Sequence, residues 1–215
     1  MFITFEGMEG CGKTTQIQKL ALLFFEQAQE TVCTREPGGS SLGCELRQIL
    51  LHPKNTGLNS MSELFLYLAD RAQHVSSVIK PALEQGKIVI SDRFADSTIV
   101  YQGYGRGLNT DMLLRLNNEA VHGLWPDLTF LLDLEPEIGL KRAQKRDIIN
   151  NKHHVEGRFE MEKLEFHKRV RDGYLAWAAQ HPERFVVLDA SPAPNEIFTH
   201  VQKALHNFWP AQITS

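Results

Sequence analysis

The apolar run Phe2-Ile3-Thr4-Phe5 leads within two residues into Gly7-Met8-Glu9-Gly10-Cys11-Gly12-Lys13-Thr14, and a helical pattern follows at once. Glycines at the outer and inner turns of such a loop let backbone N–H groups point inward as a cradle for an anion. The helix starting near Lys13 aims its positive dipole end at the same place. Lys13 adds a point charge, and the Thr14 hydroxyl can meet a divalent cation. The string fits G-x-x-x-x-G-K-[ST] between a strand and a helix, the setting the motif needs to hold the phosphates of a nucleoside triphosphate. Gly7 to Thr14, with Thr15 beside them, are therefore the candidate triphosphate-binding residues.

Four more short β-rich runs follow, Thr31 to Thr34, Ile88 to Ser91, Leu128 to Leu132 and Phe185 to Leu188. Their near-continuous apolar character predicts parallel strands covered on both faces. Between them the spacing predicts helices over Thr14 to Glu30, Leu42 to Leu51, Met61 to Gln85, Asp111 to His122, Pro136 to Arg146, Glu160 to Gln180 and Asn195 to Phe208. This βαβα order predicts an α/β three-layer sandwich, a five-stranded parallel sheet with helices on both faces, as in P-loop NTPases. Ligands of such sheets lie beyond the carboxyl ends of the strands. At 215 residues one domain is expected, with a frayed tail from Pro210 to Ser215.

Composition narrows the class. Hydrophobic residues at 42% and charged residues at 23% are ordinary for a globular protein, and no stretch is apolar enough to span a membrane. A net charge of −3 gives no long-range attraction to nucleic acid. MFITFEG reads as a first strand and not as a signal peptide. Cys11, Cys33 and Cys44 form no CxxC pair, which fits a reducing, cytoplasmic setting. Cys11 stands at a helix start, where thiol pKa values fall, but is expected to be a plain small-residue filler. An N-K-x-D guanine reader is missing, since Asn151-Lys152-His153-His154 lacks the Asp; this disfavours a GTPase switch.

After the third strand comes Ser91-Asp92-Arg93-Phe94, which places a carboxylate able to hold Mg²⁺ waters and a guanidinium able to grip a phosphate at the ligand edge. Arg35-Glu36-Pro37-Gly38-Gly39 follows the second strand in the same way. With Thr14, Asp92 is the candidate metal contact.

In this order the strings FEGMEGCGKTT, TREPGGSSLGCELR, LFLYLADRAQH and SDRFADSTIVYQGYGRG resemble the thymidylate kinase family. The resemblance implies transfer of the γ-phosphoryl group of ATP to dTMP with Mg²⁺, in a homodimer. It implies that Glu9 receives the 3′-hydroxyl of the deoxyribose and that Arg35, Arg47 and Arg93 bind the acceptor phosphate. Tyr67 would stack on the thymine ring, and Arg71 would hydrogen-bond its O4. Ser97, Thr98, Tyr101 and Gln102 would line base and sugar, Tyr101 excluding a 2′-hydroxyl and Gln102 reading the polar edge of the ring. Tyr67 and Val100 depart from the more usual Phe and Ala.

Lys141, Arg142, Lys145, Arg146, Lys152 and Arg158 bracket a polar segment that resembles the family's LID, placed at about 142–158. Its arginines would replace one that the P-loop lacks, Gly10 standing at the neighbouring position. Arg142, Arg146 and Arg158 are all candidates for the transferring phosphoryl, alongside Lys13 and Arg93. The acceptor phosphate is already anionic near neutrality, so no general base is required; positioning and charge stabilisation supply the catalysis. Two other readings fit parts of the pattern, a deoxynucleoside kinase and a non-catalytic nucleotide-dependent interaction module.

Overall fold

The computed structural model describes residues 1–149 and 157–209, the side chains of 146–149 excepted. The strands β1 (Phe2–Glu6), β2 (Thr31–Arg35), β3 (Ile88–Asp92), β4 (Leu128–Asp133) and β5 (Phe185–Asp189) form one parallel sheet in the order β2-β3-β1-β4-β5. Around it lie α1 (Lys13–Glu26), α2 (Ser41–Leu51), α3 (Ser60–His74), α4 (Lys80–Glu84), α5 (Ala95–Thr98), α6 (Thr110–Val121), α7 (Pro136–Ile149), α8 (Leu164–Gln180) and α9 (Pro194–Phe208). The expected sandwich is present. One core joins Ile3 and Phe5 of β1 to Leu20 and Phe24 of α1 and to Val201 and Leu205 of α9. The opposite core joins Leu64 of α3, Leu113 of α6 and Val170 of α8.

Each strand runs one residue past its apolar run, ending at Glu6, Arg35, Asp92, Asp133 and Asp189. Those polar residues still pair in the ladder, Arg35 and Phe5 both opposite Asp92 and Asp133 opposite Asp189. The sheet therefore carries a row of charges along its carboxyl edge. Strand order reverses at β1, which puts the glycine-rich loop at the switch point where such sheets bind ligands. The sequence predicts burial on both faces for all five strands; β1, β3 and β4 have it, whereas in the edge strands β2 and β5 every residue but the buried Phe185 is half-buried or exposed.

Helix α1 stops four residues before the expected Glu30, because Ala28 turns to φ +55° and the Gln29 N–H closes back on the Phe24 carbonyl at 2.9 Å. The single helix expected over Met61 to Gln85 is interrupted by a wide turn at Val75–Ile79. Pro81, which brings no N–H and crowds the carbonyl one turn back, accounts for the break. Asn59 and Asn109 cap α3 and α6 by accepting the Met61 and Met112 N–H groups, each at 2.9 Å. Helix α8 starts at Leu164, four residues after the expected Glu160, residues 158–161 forming a turn. An element the periodicity did not predict follows β3: α5 continues into wide helical turns over Ile99–Gly105. Among the described residues no helix is long and apolar enough to cross a membrane. The expected tail at 210–215 lies outside the described residues, as do Lys152, His153 and His154 of the LID-like segment.

Candidate active site

A cavity of 530 Å³ opens at the carboxyl edge of the sheet, within the usual range for a ligand site. It is lined by Gly12, Lys13, Thr14 and Thr15 of the glycine-rich loop and α1, by Asp92 and Arg93 at the end of β3, and by Tyr67, Arg71 and Gln102. Arg35, Arg47, Ser97, Thr98 and Tyr101 line it too, so the expected acceptor-side residues converge on the glycine-rich loop.

In that loop the Lys13 ammonium lies over the backbone, donating to the carbonyls of Gly7 at 3.1 Å and Met8 at 3.0 Å. Glu9, Gly10 and Gly12 face the cavity, whereas Met8 and Cys11 are buried behind it. Burial raises the Cys11 thiol pKa despite the nearby charges of Lys13 and Arg93, so Cys11 is a packing residue, as expected. Gly10 has φ +75°, and a Cβ there would lie 2.1 Å from the carbonyl oxygen of Gly139 in α7. Loop and helix thus touch backbone to backbone, which explains physically why no arginine occupies position 10. Gly10→Ala is expected to destabilise the fold by about 3 kcal/mol, measured by denaturant titration.

Thr14 Oγ1 donates to Asp92 Oδ2 at 3.3 Å. A hydroxyl and a carboxylate so placed beside the phosphate cradle fit Mg²⁺: Thr14 and Asp92 would hold the ion, which would offset charge on bound phosphates. Among the described residues no group of three or more acidic, His or Cys side chains gathers as a metal cage.

Arg93 holds the centre. Its φ of +71° is rare for a non-glycine residue and turns the side chain back over the P-loop. The guanidinium donates to Glu9 at 2.8 Å, Tyr101 OH at 2.9 Å, Tyr174 OH at 3.0 Å and Ser97 Oγ at 3.3 Å. Tyr101 OH donates in turn to the Glu9 carboxylate, 2.9 and 3.0 Å from its two oxygens. Burial works to raise the Glu9 pKa, but Arg93, Lys13 and the buried His167 bring it below the ordinary value.

Behind this group is Glu6, which spacing did not single out. Its Oε1 accepts the Phe94 N–H at 2.8 Å, and its Oε2 accepts from Ser97 at 2.6 Å and Tyr174 at 2.7 Å. The end of β1 thus fixes the turn that carries Arg93. Burial, then the Asp96 charge, lifts the Glu6 pKa from 4.5 to about 7 against the pull of Arg93, Ser97 and Tyr174. The folded protein therefore binds this proton more tightly than the unfolded chain. Stability from this group is complete below about pH 4.5 and is lost as pH rises through about 7. Glu6→Gln is expected to flatten that loss, at most about 3 kcal/mol, in thermal unfolding between pH 5 and pH 8; an unchanged slope contradicts it.

Arg71 is buried, and its hydrogens are already engaged by Glu36 at 2.8 Å, Thr98 at 2.7 Å, Asn117 at 2.6 Å and the Phe94 carbonyl at 3.0 Å. Donation to a ligand would have to displace one of these. Glu36 also bonds His74 at 2.9 Å, so the acid inside the Arg35-Glu36-Pro37 string braces α3 against β2. The Arg35 side chain is exposed and makes no hydrogen bond or ion pair with any described residue. Arg47 donates to the Pro37 carbonyl at 2.8 Å. Burial, then the Glu63 charge, raises the Tyr67 phenol pKa and keeps the ring neutral.

The three LID arginines separate. Arg142 lines the cavity and donates to the carbonyls of Ala190 at 3.1 Å and Ser191 at 3.4 Å. The Arg146 side chain lies outside the described residues. Arg158 is not brought to the cavity: it is buried, with Nη1 2.6 Å from Glu63 Oε2 and Nε bonded to the Leu50 carbonyl. A buried carboxylate demands a cation, and Arg158 answers Glu63 instead of facing the cavity.

A family model described as "Thymidylate kinase" matches residues 5–201. The chain is similar, with 62% identity over 202 residues, to a thymidylate kinase of Maridesulfovibrio salexigens, covering 94% of this chain and 93% of the relative. A thymidylate kinase of Oleidesulfovibrio alaskensis is 58% identical over 205 residues, covering 95% of this chain and 97% of that one. The crystal structure of thymidylate kinase from Ehrlichia chaffeensis matches with a TM-score of 0.76 and 38% identity, covering 96% of this chain and 98% of that one.

Proposed function

The chain belongs to the thymidylate kinase family, and from that premise we propose that its cavity holds ATP and dTMP end to end, for transfer of the γ-phosphoryl group to give dTDP and ADP. The observation that carries this reading is the junction at Glu9, Lys13 and Arg93, where a triphosphate cradle and an acceptor pocket lined by Tyr67 and Gln102 share one cavity. An oxygen of the dTMP phosphate forms the new bond to Pγ, and the bridging oxygen leaves with ADP. Lys13 and the loop amides bind the donor phosphates, with Arg142 assigned to the donor nucleotide. Arg93, Arg35 and Arg47 collect the acceptor phosphate, reducing the repulsion between two polyanions. Thr14 and Asp92 would hold Mg²⁺, which neutralises charge on the donor phosphates.

Glu9 is assigned to the 3′-hydroxyl of the deoxyribose and Tyr101 to the space beneath the sugar. Their mutual hydrogen bonds support this, because they fix the phenol against the carboxylate assigned to the sugar. Tyr67 is assigned to the base face and Gln102 to its polar edge, with Ser97, Thr98 and Arg71 supporting them. We place the enzyme in the cytoplasm as a single domain. We also infer a homodimer through α2 and α3, which expose Leu42, Ile49 and Phe65.

An ADP-release assay across dTMP, dUMP, dCMP, dAMP, dGMP and thymidine tests the function. dTMP is expected to be the best acceptor and thymidine to be inert. No ADP release with dTMP, or a preference for thymidine, overturns the reading. The deoxynucleoside kinase and interaction-module alternatives are not favoured by relatives of this identity.

A further inference from the structure

Glu63 of α3 is 1% exposed, yet it is neither a cavity residue nor part of the P-loop network. Three side chains converge on it. Gln102 Nε2 donates to its Oε1 at 2.8 Å, Arg158 Nη1 to its Oε2 at 2.6 Å, and Arg106 spans both oxygens at 3.3 Å. Arg106 is itself anchored by Glu162 at 2.6 Å. Burial works against the Glu63 charge, but Arg158, Gln102 and Arg106 hold its pKa below the ordinary value.

An ionised carboxylate can only accept hydrogen bonds, so whichever amide atom of Gln102 faces it must be the nitrogen. The Gln102 oxygen is thereby turned the other way. That Oε1 is buried and has no hydrogen-bond partner among the described residues, while the residue lines the cavity. A buried acceptor left open in this way is costly unless a ligand donor meets it.

We propose that Glu63 is a specificity-determining positioning residue: it fixes the Gln102 amide so that an acceptor oxygen faces the base, selecting bases that carry a proton on ring N3. Thymine and uracil carry that proton; cytosine offers a lone pair there and is repelled. The inference rests on the assignment of Gln102 to the base edge. It also gives Arg158 and Arg106 a task, because their charges keep Glu63 ionised and hence the amide in one orientation.

The test compares kcat/KM for dTMP, dUMP and dCMP in wild type, Glu63→Gln and Glu63→Asp. Glu63→Gln can offer either amide atom to Gln102, which frees the reader to turn over. Glu63→Asp keeps the charge for both arginines but withdraws the carboxylate from Gln102, so it remains informative if the first variant folds poorly. Both are expected to shrink the dTMP to dCMP ratio about tenfold while the dTMP to dUMP ratio stays within about twofold. A merely structural role would lower all three acceptors together and leave both ratios intact, which overturns the proposal. Gln102→Met, which removes the oxygen, must shrink the same ratio; an unchanged ratio there overturns it independently of Glu63. Wild-type enzyme inert toward dTMP would instead sink the proposed function, a separate outcome.

Discussion

Arg93→Ala is expected to lower kcat with saturating dTMP and ATP by about three orders of magnitude, the scale of losing a charge aimed at a transferring phosphoryl group. In the resting structure its guanidinium is held by Glu9, Tyr101, Tyr174 and Ser97, acceptors drawn from the P-loop, the wide helical turns, α8 and α5. Such convergence fixes the fork before any phosphate arrives, so little reorganisation is needed during transfer. Alanine removes the charge and leaves Glu9 facing incoming phosphates without its strongest counter-charge. Arg93→Lys keeps a charge but has one compact ammonium for acceptors lying in several directions, and is expected to regain no more than about tenfold. The fold should persist, because Glu6 keeps the turn through the Phe94 N–H. Single-turnover measurement of labelled dTDP separates this from slow product release; near-normal turnover in the alanine variant removes Arg93 from the chemistry.

The parallel sheet was legible because its strands are apolar runs bounded by glycine and charge, and the P-loop because glycines, Lys13 and Thr14 must be contiguous to work. The order of site residues was legible for a related reason: Arg35, Asp92 and Arg93 each stand at or just past a strand end, where open sheets present ligands. Arg71 was readable as an arginine on an apolar stripe that needs a partner. That its main partner is Glu36, 35 residues away in the chain, was not. The partner of Arg158 was hidden for the same reason. In a run of basic residues a lid cation and a structural cation look alike, and Glu63 lies 95 residues away. Residues 95–105 escaped because wide helical turns break the 3.6-residue period, and β-branched Ile99-Val100 resembles a strand. Glu6 carried a faint signal, a carboxylate closing an apolar strand, that only the Phe94, Ser97 and Tyr174 contacts make specific.

Lys13→Ala is expected to cost about three orders of magnitude in kcat, with a smaller rise in the KM for ATP. Lys13 is 8% exposed, and its ammonium rests on the carbonyls of Gly7 and Met8, with Cys11 Sγ at 3.6 Å. Those contacts are to neutral or weak acceptors, so a polyphosphate outcompetes them and the charge is available for the donor without breaking an ion pair. The same charge is one of those that lower the Glu9 pKa, so its removal also weakens the case for an ionised acid among phosphates. The buried Gly7 and Met8 carbonyls lose this donor, so stability is expected to fall by about 1 kcal/mol, too little to unfold the protein. Raising Mg²⁺ is not expected to restore turnover, because a cation held by Thr14 and Asp92, as proposed above, would not replace a charge carried by the loop lysine. Retention of more than about a tenth of wild-type kcat in a folded Lys13→Ala protein, on a scale where a single preorganised charge is worth roughly a hundredfold or more, contradicts the role.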